Sequence, residues 1–385
     1  MGKRFSKSIN RGFIGAAAMA VLAGPAAAQS NETLQQKVAT LEARVAELET
    51  ESESGLKIAP GMTLTFYGYA KADLLFDQDY DLGNTIFGLA NLNAATPAGS
   101  AFTGHAFQSR LGFTTSTNTS HGPLTTKVEG DFFGGGGGQF RLRHAYGEYA
   151  GFLAGQTWTN WMPIESYPGT LDFQGPAGIP FARQNQFRYT FGFGEGLSAS
   201  FSVENDPSSS SDRAAITAAA SYRFSHGMGD SFVKLAAVSR ELSTPTGTED
   251  AYGVNLSGNT SLWQGGSLQV ALTTGEGIGS YMVFGGPDVD SAGKAIETDG
   301  ITIGLTQAIN DKLALGLAYG KREIDRYAGA LATDTSELET VHFNVTYKPV
   351  ERVTLGLEYI TGERTEFGGA SFDADRIQAS AQFNF

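Results

Sequence analysis

The sequence predicts an all-β chain: a sixteen-stranded antiparallel transmembrane β-barrel, preceded by a short N-terminal coiled-coil helix. Three observations predict it. From Met62 to Phe385, apolar and polar residues alternate with period two, the pattern of strands with one apolar and one wet face. No segment after residue 28 reads as a transmembrane helix, so a membrane could be crossed only by a closed barrel. The connections alternate between short and long, an arrangement found in outer-membrane barrels and without reason in a soluble sandwich. The 50 Gly in 385 residues exceed the usual ~7% and suit many tight turns.

Residues 1–28 read as a cleavable signal peptide. Lys3, Arg4, Lys7 and Arg11 form its positive region, "FIGAAAMAVLAG" its apolar stretch, and "AAA" before Gln29 its cleavage site. The apolar run is too short for a spanning helix, which needs about 20 residues. Its removal takes away four positive charges and no acids, so the net charge of −13 becomes −17. That balance excludes nucleic acid as a partner, since phosphate binding needs clustered Lys and Arg. With no Cys, disulfides and thiolate metal sites are excluded too. No cofactor is expected.

Residues 29–54 form the predicted coiled-coil oligomerisation helix. Leu34, Val38, Leu41, Val45 and Leu48 are spaced 4, 3, 4, 3, a coiled-coil seam with Val at a and Leu at d. Lys37 and Arg44 fall at g, Glu42 and Glu49 at e, so basic residues can meet acids on a neighbouring helix. Three heptads are too few to be stable alone. Residues 55–61 are the linker, with Gly55 as a helix stop and Pro60 as a boundary.

The barrel domain occupies 62–385. Its clearest hairpin is "VHFNVTYKPVERVTLGLEY": Val341, Phe343, Val345 and Tyr347 share one face, and Val353, Leu355, Leu357 and Tyr359 continue it after the turn. Strands start near 62, 104, 123, 139, 152, 184, 197, 212, 231, 249, 267, 298, 312, 337, 351 and 373. Connections after even-numbered strands are short; those at 76–103, 159–183 and 285–297 are long, and the pentaglycine at 134–138 is a short exception. The last strand, "RIQASAQFNF", ends on Phe383 and Phe385, expected to lie at the membrane interface; this aromatic end resembles the assembly signal by which outer-membrane barrels are recognised for insertion.

Catalytic motifs are lacking. His105, His121, His144, His226 and His342 are scattered, and neither a G-x-S-x-G elbow nor an H-E-x-x-H helix occurs. "FGFGEG" has a nucleotide-loop spacing but lies in a hairpin, so it reads as a turn. "DVDSAGKAIETD" (288–299) places acids at positions 1, 3 and 12 of a calcium-like loop, yet Ala292 holds position 5 and no helices flank it. It reads as an acidic surface loop.

Basic residues carry more information. On the second strand Phe107, Ser109, Leu111 and Phe113 are expected to face lipid, which turns Arg110 inward. On the sixth, Arg188 lies between outward Phe187 and Tyr189. Outward Leu142 places Arg141 and Arg143 inside, although His144 and Glu148 disturb that parity; Lys71 and Lys127 also fall inward. The long connection after the fifth strand is expected to fold into the lumen as a constriction. Its Glu165 and Asp172 would face Arg110, Arg141, Arg143, Arg183 and Arg188 across the opening. These charges would set solute preference; the bland alternative is that the arginines brace the wall by pairing with Glu129 and Asp131.

"FYGYAKADLLFD", "AYGEYAGFLAGQTWTNW", "LDFQGPAGIP", "RQNQFRYT", the heptads and the terminal Phe together resemble the DcaP-like porins of Gram-negative bacteria. The resemblance spans essentially the whole mature chain and is strongest between 140 and 190. It implies a homotrimer of sixteen-stranded barrels, a periplasmic coiled coil, and uptake of small anionic organic acids. The expected function is a passive outer-membrane channel for small anionic solutes such as dicarboxylates. Its surroundings would be outer-membrane lipid, lipopolysaccharide and the barrel-assembly machinery. Rival readings are a barrel enzyme acting on lipid or peptide, and a structural or adhesive barrel without an open pore. Since a tether makes the meeting of helices intramolecular, deleting 30–54 is expected to leave a trimer with a somewhat lower melting temperature. A deletion variant that runs as a monomer in mild detergent would overturn that order of causes.

Overall fold

The computed structural model describes residues 55–385 apart from 209, 210, 212 and 246. The expected signal peptide (1–28) and coiled-coil helix (29–54), with Leu34, Val38, Leu41, Val45 and Leu48, lie outside the described residues. A short strand, Leu56–Ala59, precedes the barrel.

Sixteen barrel strands follow among the described residues. They are β1 (Met62–Asp77), β2 (Ala101–His105 continued by Arg110–Thr119), β3 (Gly122–Gly134), β4 (Gln139–Tyr149), β5 (Phe152–Trp158) and β6 (Arg183–Gly192). Next come β7 (Leu197–Glu204), β8 (Ala215–His226), β9 (Gly229–Thr244), β10 (Gly247–Trp263) and β11 (Gly266–Glu276). The last five are β12 (Glu297–Ala308), β13 (Leu313–Ile324), β14 (Thr335–Val350), β15 (Val353–Glu366) and β16 (Ser371–Asn384). Each pairs antiparallel with the next, and β16 returns to β1 with Gln378 opposite Leu75 and Asn384 opposite Tyr69. The ring is therefore closed, and no edge is left to pair with another chain. Phe385 ends the chain with its N–H on the Gly68 carbonyl (3.1 Å) and its ring half-exposed.

Burial follows the period-two pattern. On β1, Phe66, Leu74 and Phe76 are exposed while Lys71, Asp73, Leu75 and Asp77 are buried. The apolar face thus points outward, towards lipid in a transmembrane barrel. One expectation fails on β2. The strand is interrupted at residues 106–109, so Phe107 does not face outward; it stacks on His105 (4.8 Å between ring centres) and meets Phe133 edge-on. Ser109 Oγ accepts from the Lys71 N–H and donates to the Lys71 carbonyl, because an interrupted ladder leaves backbone groups that need other partners.

The long connections fold inward. Leu82, Ile86, Leu89 and Leu92 of residues 78–100, Ala177 and Ile179 of 159–182, and Val283 and Phe284 of 277–296 form one apolar cluster with the inward-facing Leu338, Ile360 and Ala374. The 159–182 connection lies flat on the inner wall of β12 to β16. The Ala177 N–H donates to Thr340 Oγ1, Thr302 Oγ1 donates to the Ala177 carbonyl, and Leu171 and Asp172 N–H donate to the Glu358 carboxylate.

Such close contact requires wall residues without side chains. A Cβ at Gly300 would stand 2.1 Å from the Gly178 carbonyl oxygen, and one at Gly320 would stand 2.2 Å from that of Ala177. Gly320→Val is accordingly expected to push the connection into the lumen and lower single-channel conductance, while the barrel still folds. Gly227→Ala, in an open turn where a Cβ meets nothing within 4 Å, serves as the control. Unchanged conductance of the Gly320 variant would show that this connection does not limit the pore.

Candidate functional site

Strands β2, β3, β4 and β6 carry the basic residues picked out by the alternation, and two acids organise them. Glu129 accepts from Arg143 Nε at 2.9 Å and lies 3.4 Å from both Arg110 Nε and Lys127 Nζ. Asp131 is held bidentately by Arg141 (3.0 and 2.7 Å) and also by Arg143 Nη1 at 2.9 Å. Glu129 and Asp131 are buried, so these are desolvated, charge-assisted bonds.

The disturbed parity on β4 has a structural cause. The pairing shifts by one residue between Glu129 and Gly130: Glu129 lies opposite His144, and Gly130 opposite Leu142. Arg143 is the extra residue of a bulge, which places both Arg143 and His144 among the buried, inward groups. Strict alternation could have placed only one of them there. His144 Nδ1 bonds Thr157 Oγ1 at 2.9 Å.

Aromatic rings back the cluster. Arg141 lies over Phe133 and Phe173, Arg143 over Phe173 and Trp158, and Arg183 over Trp158 at 4.6 Å. Guanidinium groups stack on such faces and keep their edges free for hydrogen bonding. Among the described residues, Arg183 and Arg188 have no carboxylate within ion-pair distance. The cluster therefore divides: Arg110, Arg141, Arg143 and Lys127 share Glu129 and Asp131, whereas Arg183 and Arg188 form no ion pair, Glu204 and Glu148 acting on Arg188 only from farther off.

The other expected site residues lie elsewhere. Lys71 is buried, paired with Asp73 at 3.1 Å, and donates to the Leu171 carbonyl, so the inserted connection covers it. Asp172 does not face the arginine cluster. It is buried beside β15 and β16, accepts from the Ile86 N–H at 2.9 Å, and lies 3.5 Å from Arg376 Nη1. Burial pushes its carboxyl above the usual range, against the pull of Arg376. Glu165 pairs with Arg223 of β8 instead, and its carbonyl accepts from Asn259 Nδ2 at 2.6 Å. Both acids sit where the backbone of 159–182 turns to meet the wall, which their sequence positions alone could not fix.

Arg223 and Lys234 are inward basic groups that the sequence analysis passed over. Alternation could have found them, since Tyr222 and Phe224 flank one and Val233 and Leu235 the other, all four exposed. Lys234 Nζ donates to the Met162 carbonyl at 3.0 Å. Three further arginines are structural. Arg240 is clamped by Asp206 and Asp288, Arg364 pairs with Glu366, and Arg376 holds Asp77 with two bonds (2.6 and 2.8 Å). Arg322 has no acid partner among the described residues. The acids of 288–299 do not converge: Asp288 faces Arg240, and Asp290 accepts from the N–H groups of Ala292 and Lys294. No metal-holding group of side chains occurs among the described residues.

The chain matches the model of the DcaP outer membrane protein family over residues 42–385. No curated protein gives a match. Among solved structures, the outer membrane channel DcaP of Acinetobacter baumannii is similar with a TM-score of 0.79 and 23% identity, over 86% of this chain and 100% of that one. An anion-selective porin from Comamonas acidovorans is similar with a TM-score of 0.60 and 14% identity, over 84% and 100%. The trimer form of OmpT from Vibrio cholerae follows with 0.57 and 16%, again over 84% and 100%.

The division of the cluster predicts a contrast in stability. Glu129→Gln leaves Arg143 buried with one acid fewer, and is expected to destabilise the barrel by roughly 3–5 kcal/mol. Arg188→Ala breaks no ion pair and should stay within about 0.5 kcal/mol of wild type. Equilibrium unfolding in detergent checks both, and equal losses would refute the division.

Proposed function

The chain belongs to the DcaP outer membrane protein family, and from that premise we propose a passive outer-membrane diffusion channel that prefers small organic anions, mono- and dicarboxylates above all. The observation that carries the proposal is the pair of inward arginines, Arg183 and Arg188, without acid partners beside a cluster already holding Arg110, Arg141 and Arg143. A carboxylate can be held bidentately by one guanidinium, and a second carboxylate can reach the next. Binding has to remain weak enough for the solute to leave. The anion selectivity named for the Comamonas porin supports the reading.

The mature chain's excess of acids is no obstacle. Charge on exposed loops is screened beyond roughly 8–10 Å, whereas charge in a channel with low-dielectric walls acts directly on a passing solute. The trimer form of the Vibrio protein supports a homotrimer here, with the 29–54 helices joined in the periplasm after removal of residues 1–28. Outer-membrane lipid and lipopolysaccharide would surround it. The terminal Phe383 and Phe385 would be read by the barrel-assembly machinery.

The reversal potential in a salt gradient tests the proposal. Wild type should be anion-selective, and Arg183→Ala and Arg188→Ala should each reduce that preference. A cation-selective wild type, or variants with unchanged selectivity, would sink it and leave these residues as wall struts.

A further inference from the structure

The inner wall carries a second set of charges, apart from the cluster at Glu129. Tyr222 and Phe224 are exposed on the outer face of β8, which puts Arg223 and Ser225 on the inner one; Val233 and Leu235 do the same for Phe232 on β9. Arg223 lies opposite Phe232, Ser225 opposite Asp230, and Phe232 opposite Asn259 of β10. Arg223 and Asp230 are therefore diagonal neighbours on one inward face, roughly 7–8 Å apart. Both are exposed. They stand close to the short turn between β8 and β9, at the end of the barrel that is periplasmic in proteins of this architecture.

These two opposite charges do not pair. Arg223 lies over the Phe232 ring at 4.6 Å and gives Nη2 to Glu165 of the inserted connection, whose carbonyl is fixed by Asn259. Asp230 accepts from Ser225 Oγ at 2.7 Å and has no basic partner among the described residues. Nε and Nη1 of Arg223 likewise have no partner among them. Beside these groups opens a cavity of about 300 Å³, lined by Arg223, Ser225, Asp230, Phe232 and Asn259. Free donors, a free acceptor and space thus occur together, in a volume at the lower end of the range for small-molecule sites.

Charge decides what fits. Arg223, Glu165 and Asp230 bring one positive and two negative charges. A simple carboxylate would meet the guanidinium but also two acids, and a simple amine would meet Asp230 but also the guanidinium. A small solute carrying both charges matches each group with its opposite. Glu165 need not leave, because one guanidinium can serve two carboxylates, as Arg143 serves Glu129 and Asp131. We propose that Arg223 and Asp230 form a subsite for small zwitterions, α-amino acids in class, with the carboxylate on the free edge of Arg223 and the ammonium on Asp230. Phe232 is 4% exposed beneath the guanidinium and offers little apolar surface, so small or polar side chains are favoured. Exposed charges bind weakly, which lets a solute pass on. The subsite does not depend on which anions Arg183 and Arg188 prefer.

Glycine tests the proposal, since it carries both charges, no net charge and no side chain. Its block of chloride current through the full-length protein is measured in planar bilayers at neutral pH. The half-blocking concentration is expected to rise about tenfold or more in Asp230→Asn and in Arg223→Gln, and to stay unchanged in Arg188→Ala. Acetate should behave conversely, losing its block in Arg188→Ala and keeping it in Asp230→Asn. Acetate block that survives Arg188→Ala would count against the anion preference proposed above and leave the glycine result standing. Absence of glycine block in wild type would overturn the subsite, as would a glycine block that survives Asp230→Asn or falls with Arg188→Ala. Asp230 and Arg223 are both exposed, so both variants are expected to fold.

Discussion

A backbone N–H or C=O left unpaired in hydrocarbon costs several kcal/mol, and that constraint shapes this molecule. A sheet can meet it only by closing, so β16 must return to β1 in register. Closure then dictates the alternation, because each residue must face either lipid or lumen. The same closure places Asp77, at the end of the first strand, beside Arg376 on the last. Their two short bonds tie the seam at the end where the inserted connections gather, and Arg376 also donates to the Gly83 carbonyl. Sheet and inserted loops therefore share one buried charge group, with Asp172 as its third member.

The lumen obeys a second rule, that buried polar groups find partners. Connection 159–182 brings its own backbone groups into the barrel, and the inner wall answers with Thr302, Thr340, Asn344 and Glu358. Glycines on the same strands make the approach possible. Inward-facing polar residues on β12 to β15 thus serve the loop, while those on β2 to β6 are the ones proposed to meet solute. One half of the wall is a seat, and the other is a candidate surface for selection.

This division explains which features were legible in the sequence. Strand number, order and the side each strand presents came from a period that lipid enforces, and segments such as "VHFNVTYKPVERVTLGLEY" state it without ambiguity. Lys127, Arg141 and Arg188 could be placed inward on that ground alone. Arg143 and His144 could not both be placed, because a bulge is a fault in the period and leaves no compositional mark. The break at 106–109 misplaced Phe107 for the same reason. Asp172 and Glu165 were beyond reach in another way: they lie on a connection whose path is set by contacts with strands more than a hundred residues distant, such as Glu358 and Arg376. Lys234 and Arg223 were equally legible, each lying between two exposed apolar neighbours on its strand.

Net charge and local charge point in opposite directions here, and the proposed selectivity rests on the local one. The chain has 40 acidic and 27 basic residues, yet many acids are spoken for or stand in water. Asp77, Asp131, Asp206, Glu129 and Glu366 are each bound to an arginine. Glu276, Glu323, Glu337 and Glu363 lie on the barrel strands towards the ends that carry the long connections, where solvent and salt attenuate them. Inside, Arg183 and Arg188 form no ion pair, whereas Glu204, the buried acid that ends β7, is held by the Asn160 N–H and by the Ser202 and Thr217 hydroxyls. An interior field is therefore decided by a few residues that the fold leaves without partners. The arginines that stabilise this barrel and those proposed to select its solutes differ only in whether a carboxylate stands within reach.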